Sequence, residues 1–224
     1  MSLVSCLCPT YGRPAMLRRA VRCFLAQTHA PRELVVVYQA HDAATRDYLR
    51  TLTDPSIRAV EIAPSPHLGP DGLRNHCVEA ARGDYVAVWD DDDWSAPTRI
   101  QEQLAALRGG GRPGCCLYRV TLFDGIARSA YVSAARAWEQ TLVIERGKMP
   151  AYANERGGDA ALVRGLLQGA MVVALDRPAL YVYVYHAANY FNREHWQANL
   201  LAHAQPLASA ESARVAELLG PEGS

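Results

Sequence analysis

Short apolar runs alternate with stretches of helical periodicity along the first half of the chain. Residues 3–8 are apolar and stop at Pro9-Thr10-Tyr11-Gly12-Arg13, which predicts a first strand; Pro14 then suits the first turn of a helix. Met16, Leu17, Ala20, Val21, Phe24 and Leu25 recur at helical spacing, so residues 14–27 read as an amphipathic helix with Arg18, Arg19 and Arg22 on its solvated side. Residues 33–38 are β-branched and apolar enough for a strand buried on both faces. Asp42 is placed to cap a short helix ending near Leu52, and residues 57–62 form a third strand. A loop rich in Pro and Gly, 63–72, leads to a helix over 73–82 that Gly83 stops. Residues 85–89 form a fourth strand, and Ser95 and Pro97 start a helix with Ile100, Leu104 and Leu107 facing inward.

The second half has a different texture. A break rich in Gly and Pro, 109–114, separates it from the first. Residues 115–123 and 130–133 read as strands about an Asp124-Gly125 turn, and 138–144 is a further apolar stretch. A polar loop, 146–158, ends at Asp159, which can cap a helix over 160–168. Residues 171–175 and 180–185 are late strands, and the alanine-rich tail, 195–220, reads as helical. The organisation expected is one domain with a first half over 1–108, a second over 115–190 and a tail over 191–224. Strands alternating with helices imply a parallel sheet with helices on both faces, and ligands in such sheets bind beyond the carboxyl ends of the strands. That edge would carry residues 9–13, 38–42, the loop after Ile62 and the run Asp90-Asp91-Asp92-Asp93.

Composition narrows the function classes. The 224 residues carry no formal net charge, which gives no electrostatic case for nucleic acid. No run of about eighteen apolar residues marks a transmembrane helix. The first residues lack the basic region and apolar stretch of a signal peptide. Six cysteines without paired CxxC spacing, most in apolar surroundings, read as reduced thiols, so the expected setting is cytoplasmic.

The run of four Asp after an apolar strand carries the chemistry. Adjacent carboxylates repel, and a bound cation relieves that repulsion. Oxygen ligands suit Mg²⁺ or Mn²⁺, which commonly share one or two carboxylates with substrate phosphates. The plain alternative is a solvated acidic turn. Arg74, in the first turn of its predicted helix beside free N–H groups, can meet a phosphate or simply lie on the surface.

With these pieces in order, residues 3–189 resemble the family 2 inverting glycosyltransferases of GT-A fold. The resemblance rests on Val4-Ser5-Cys6-Leu7-Cys8-Pro9-Thr10-Tyr11-Gly12-Arg13, on Leu68-Gly69-Pro70-Asp71-Gly72-Leu73-Arg74-Asn75, on the Asp run between Trp89 and Trp94 as a DxD-type segment, on Glu155-Arg156-Gly157-Gly158-Asp159, and on Tyr183-Val184-Tyr185-His186-Ala187-Ala188-Asn189. It implies a Rossmann-like α/β fold with a mixed, mainly parallel central sheet flanked by helices, and an acceptor-side second half. It implies that Pro9, Thr10, Tyr11 and Arg13 line a nucleotide pocket, that Arg74 reaches base or diphosphate, and that Asp90 meets the donor's ribose or sugar. Asp91 would join Asp90 at the nucleotide-sugar and Asp92 would hold the divalent metal, and within the run Asp91 or Asp93 could substitute. His186 would be a further metal ligand, or a hydrogen-bonded histidine at a strand end. Asp159 would be the general base. The donor implied is a nucleotide-sugar, UDP-sugar favoured, and the acceptor a hydroxyl on a glycan or glycolipid, reached through at most peripheral contact with the inner membrane face.

Two departures from the family pattern stand out. The second strand ends Tyr38-Gln39-Ala40-His41-Asp42, where the family usually places acids that hold the base; Gln39 can still bond a base, and Asp42 is the nearest acid. Gly158-Asp159 stands where a Glu-Asp pair is common. These favour a rival reading, a catalytically inactive sugar-nucleotide-binding or scaffold module. A nucleotidyltransferase would need a basic, glycine-rich loop after the first strand, and residues 9–14 offer one glycine and one arginine. A zinc enzyme has no HExxH or paired CxxC to rest on. In the tail, Trp196, Leu200 and Leu201 suit docking, a homodimer, or packing on their own domain.

Overall fold

The first two strands are apolar on both sides because each side has its own core. In β1 (Val4–Pro9), Val4, Cys6 and Cys8 face one cluster and Leu7 the other. In β2 (Arg32–Gln39), Leu34, Val36 and Tyr38 join the first cluster, and Val35 and Val37 the second. Successive strand side chains point to opposite faces, so such a strand must be covered twice. One cover is built by α1 (Pro14–Leu25), α2 (Ala43–Arg50) and, further along the chain, α4 (Arg99–Gly109), through Leu17, Phe24, Tyr48, Ile100 and Leu104. The other comes from α3 (Pro70–Ala80) and α5 (Gly158–Gln168), through Leu73, Cys77, Val163 and Leu166. The computed structural model describes residues 2–153 and 157–220, so Glu155 and Arg156 of the expected acceptor-side segment lie outside the described residues.

The main sheet continues with β3 (Ile57–Ile62), β4 (Tyr85–Val88), β6 (Gly114–Leu117), β9 (Val143–Glu145) and β10 (Val172–Leu175), in the order β10-β6-β9-β4-β1-β2-β3. All its pairs are parallel except those of β9, which runs antiparallel between β4 and β6. A second sheet holds β5 (Trp94–Ser95), β7 (Thr121–Asp124), β8 (Ser129–Val132), β11 (Tyr181–Tyr185) and β12 (Gln205–Pro206), in the order β12-β8-β7-β11-β5.

Several local expectations change. The apolar run 115–123 is two strands, not one: a turn at Tyr118 and Arg119 carries the chain from the first sheet to the second. The helix expected from residue 73 starts at Pro70, which occupies its first turn. Arg19 is not solvated; it is 1% exposed and its guanidinium donates to the carbonyl of Asp92. The tail is broken into α6 (Arg193–His195), a wide helical turn over Trp196–Leu201, β12 and α7 (Ser209–Leu219). Trp196 is 1% exposed and stacks on Tyr183 and Tyr185 at ring distances of 5.8 and 5.1 Å, within its own chain. All six cysteines are free and buried, and burial pushes the Cys6 thiol up to about 12.

Candidate active site

The parallel register of β1, β2 and β4 brings their carboxyl ends level: Leu7 lies beside both Val35 and Val88, and Pro9 beside Val37. Thr10, Gln39 and the Asp run therefore emerge at one edge, as the sequence implied. The run leaves β4 in an alternating arrangement. Asp90 and Asp92 are part-exposed, while Asp91 and Asp93 are buried. Asp91 accepts from Thr10 Oγ1 at 2.6 Å and from Arg13 at 2.6 Å. Asp93 accepts from Val184 N at 2.8 Å and from the hydroxyl of Tyr181, tying the run to β11. All four line the cavity, but Asp90 and Asp92 are the more exposed pair, an Asp-x-Asp spacing that four consecutive Asp letters cannot reveal.

Arginines do much of the neutralising expected of a metal. Arg74 donates to Asp90 at 2.8 Å and to Asp71 at 2.8 Å. Arg13 bridges Asp91 and Asp92, and Arg19 reaches the Asp92 backbone. Burial pushes the Asp91 carboxyl up, and the charge of Asp92 beside it adds to the rise. Burial acts on Asp92 in the same sense, but the His186 hydrogen bond and Arg13 outweigh it and hold that carboxyl low. Burial, opposed by Arg74, raises Asp90. Asp90 holds the Arg74 guanidinium charged in spite of its burial.

A cavity of about 450 Å³ lies over these groups; Arg13, Arg74, Asp90, Asp92, Asp159 and Tyr183 are among the residues lining it. Asp159 sits in the first turn of α5 with Gly157 as the N-cap, so it is not the cap the sequence suggested. Its Oδ1 accepts from Ala160 N at 2.8 Å, and its Oδ2 lies 3.7 Å from Arg74. Gly158 has no room for a side chain: a Cβ would meet Ala153 O at 2.3 Å and Asp71 Oδ2 at 2.7 Å. In this chain the position before Asp159 therefore has no space for a second acid.

His186, at the end of β11, lies with Nε2 3.2 Å from Asp92 Oδ2. A carboxylate oxygen and an imidazole nitrogen are donor types that would suit a divalent cation, but the separation here is that of a hydrogen bond. The His186 Nδ1 accepts from Ala188 N at 3.3 Å, which puts the ring proton on Nε2. Here, then, His186 donates to Asp92 and orients it; direct ligation through Nε2 requires the proton to move to Nδ1. Among the described residues, no group of three His, Cys, Asp or Glu forms a complete cage.

Gln39 faces a second cavity of about 670 Å³ that shares Tyr11, Arg13 and Tyr190 with the first. Asp42 does not line it; its carboxylate accepts from Gly12 N at 2.6 Å and from Thr45 N at 3.1 Å. Pro9 lines the first cavity at the end of β1, and Tyr11 pairs edge-on with His41. Sequence reasoning missed Asp71, which braces Arg74 and accepts from the Asp159 backbone N–H, and burial opposed by Arg74 raises its carboxyl. It also missed Asn75, whose side chain clamps both the N–H and the carbonyl of Tyr152 at 2.8 and 2.9 Å. The i,i+3 spacing of Asp71 and Arg74 was the available signal.

This layout is the GT-A fold of solved glycosyltransferases. TarS from S. aureus, solved with UDP-GlcNAc, superposes with a TM-score of 0.66 at 13% identity, covering 99% of this chain and 66% of that one. The mannosyltransferase PcManGT from Pyrobaculum calidifontis, solved with GDP-Man and Mn²⁺, gives 0.65 at 16% identity over 84% of this chain and 59% of that one. Residues 5–163 match the family described as Glycosyl transferase family 2, and the chain belongs to that family. Among curated relatives, the succinoglycan biosynthesis protein ExoO of Rhizobium meliloti (strain 1021) is 34% identical over 101 residues, 45% of this chain and 28% of that protein. The chain thus spans under a third of that relative's length. Among the described residues no helix is long and apolar enough to cross a membrane.

Proposed function

We propose that this chain is the catalytic domain of a metal-dependent inverting glycosyltransferase, moving a sugar from a nucleotide-sugar to a hydroxyl acceptor in polysaccharide or glycolipid assembly. The observation that carries the reading is one cavity lined at once by Asp90, Asp92, Arg13, Arg74 and Asp159. The relatives' ligands and names, a UDP-sugar, a GDP-sugar with Mn²⁺ and succinoglycan biosynthesis, support it.

In this reading Asp92, oriented by His186, would hold the cation, and Asp90 with Arg74 positions the donor. Asp91 acts through Arg13 and Thr10, which it fixes. A bound divalent cation supplies positive charge to the diphosphate as it leaves. Arg13 and Arg74 add theirs, preorganised by the carboxylates they already bridge. Asp159 takes the proton of the acceptor hydroxyl. The acceptor oxygen forms its bond to the anomeric carbon as the bond to the diphosphate oxygen breaks, and that oxygen leaves with the electron pair. One displacement inverts the configuration.

The test is calorimetric titration with nucleoside diphosphates, with Mn²⁺ and with EDTA, followed by transfer assays. Asp92→Ala should lose metal-dependent binding. Asp159→Asn should bind donor normally and lose transfer by about 10²–10⁴-fold. Unchanged transfer in Asp159→Asn overturns its role as base. Tight donor binding with no turnover by the wild type, across a panel of acceptors, turns the reading to an inactive sugar-nucleotide-binding module.

A further inference from the structure

We propose that Gln140 recognises the transferred sugar, by hydrogen bonding one of its hydroxyls. This rests on the donor-site reading above and adds a contact that selects among sugars.

Gln140 belongs to a single helical turn, Glu139–Thr141, that leads into β9. Of that turn, Gln140 lines the main cavity, and Glu139 and Thr141 do not. The turn packs against both β4 and α5. Asp90 follows the end of β4, and Asp159 lies in the first turn of α5. In the displacement proposed above, the acceptor hydroxyl attacks from the side of Asp159, opposite the diphosphate. The sugar being transferred then lies between Asp159 and the groups that hold the diphosphate. Gln140 stands on the wall that joins those two sides.

The turn is held by its neighbours and not by the side chain of Gln140. The fully buried Arg99 donates to the Gln140 carbonyl at 3.3 Å. Thr141 Oγ1 donates to the Trp138 carbonyl at 2.6 Å and accepts from Leu117 N at 2.8 Å. The Thr141 carbonyl accepts from the Gln103 amide at 2.7 Å. The Gln140 amide takes no part: its Oε1 is shut off from water and has no hydrogen-bond partner among the described residues. A buried polar atom left unmatched costs stability, and an apolar side chain of similar size avoids that cost. Packing thus gives no reason for an amide here, whereas a ligand in the cavity does. A sugar hydroxyl both donates and accepts, and an amide offers both ends to match it. A half turn about the last side-chain bond exchanges Oε1 with the NH₂ group, and no bond among the described residues opposes it. The diphosphate has its own partners in Arg13 and Arg74, which line the same cavity.

The experiment is calorimetric titration of wild type and Gln140→Leu, in the presence of Mn²⁺, with UDP, GDP, UDP-glucose, UDP-galactose, UDP-GlcNAc and GDP-mannose. The quantity read is the affinity for each nucleotide-sugar divided by that for its own nucleoside diphosphate. Gln140→Leu should lower this ratio about tenfold for at least one sugar, the size of one hydrogen bond left unmade, and leave UDP and GDP affinities within about threefold. Urea unfolding is the second measurement. With an unmatched polar atom removed, Gln140→Leu should unfold at or above the wild-type midpoint. An unchanged ratio for every sugar, or an equal loss for the bare nucleoside diphosphates, overturns the assignment. A midpoint below wild type gives Gln140 a structural role and overturns it as well. Failure of both UDP and GDP to bind the wild type overturns the donor-site reading itself, and this assignment with it.

Discussion

Gly158 and Asp71 decide where Asp159 points, although neither touches the cavity chemistry in the way Asp159 does. The carboxylate of Asp71 accepts from Arg74 and from the Asp159 N–H in the first turn of α5, and it leaves no space for a Cβ on Gly158. Adding one methyl group there must push the start of α5 away from Ala153 and Asp71. A displacement near 1 Å at a reacting group costs about 10²-fold in rate. Gly158→Ala is therefore expected to lower kcat by about that factor, with a smaller loss of nucleoside diphosphate affinity passed through Asp71 to Arg74, because Asp90 and Asp92 stand on other elements. Steady-state kinetics beside calorimetry separates the two. An unchanged kcat would mean that the start of α5 is free to relax.

At the scale of elements, the edge opposite the cavity is held by one carboxylate. Glu33, 6% exposed on β2, accepts from Ser5 Oγ at 2.6 Å, from Arg82 N at 2.8 Å and from Arg58 at 3.0 Å. These bonds join β1, β2, β3 and the turn into β4. Burial alone would raise the Glu33 carboxyl; the three donors more than offset it and hold it below the usual range. A group lowered on folding adds stability above its unfolded pKa, near 4.5, and loses it as pH falls through the folded value. Glu33→Gln should thus cost roughly 1–3 kcal/mol at neutral pH. The gap to wild type should close as the solution is taken below about pH 4, read by urea unfolding across pH. A gap constant with pH would show that charge on Glu33 is not what holds the edge. Much of this sheet was legible in sequence: β1, β2, β3 and β4 announce themselves by apolar runs of strand length between Pro, Gly and polar stops. The converging edge followed from their being parallel. What was not legible depends on partners distant in the chain. Nothing local in Cys115 to Phe123 says that the chain changes sheets at Tyr118. Arg19 looks like its exposed neighbours Arg18 and Arg22 until the Asp92 carbonyl is placed above it. The run of Asp names the site, but only the backbone after β4 says which carboxylates turn outward.

At the scale of the whole molecule, the tail closes the second sheet and, through it, steadies the acids. β12 adds an edge strand to β8, and Leu219 of α7 packs among Phe123, Ala130, Val182 and Val184. Trp196 lies flat on Tyr183 and Tyr185 and donates to Asp124 at 3.2 Å, where Arg193 also binds at 2.6 Å. Tyr183 lines the main cavity, and β11 holds Asp93 through Tyr181 and Val184 and carries His186 at its end. The path from tail to site is thus one strand long. Removing the indole empties a site that is 1% exposed, a change that typically costs about 3–5 kcal/mol. Trp196→Phe keeps an aromatic face on both tyrosines and loses the bond to Asp124, so it should cost nearer 1–2 kcal/mol. Urea unfolding of the two variants measures both losses. If the tail is a detachable extension, Trp196→Ala will unfold at the wild-type midpoint; if it completes the fold, the midpoint drops, and metal-dependent nucleotide binding weakens with it because β11 no longer holds Asp93 and His186 in place.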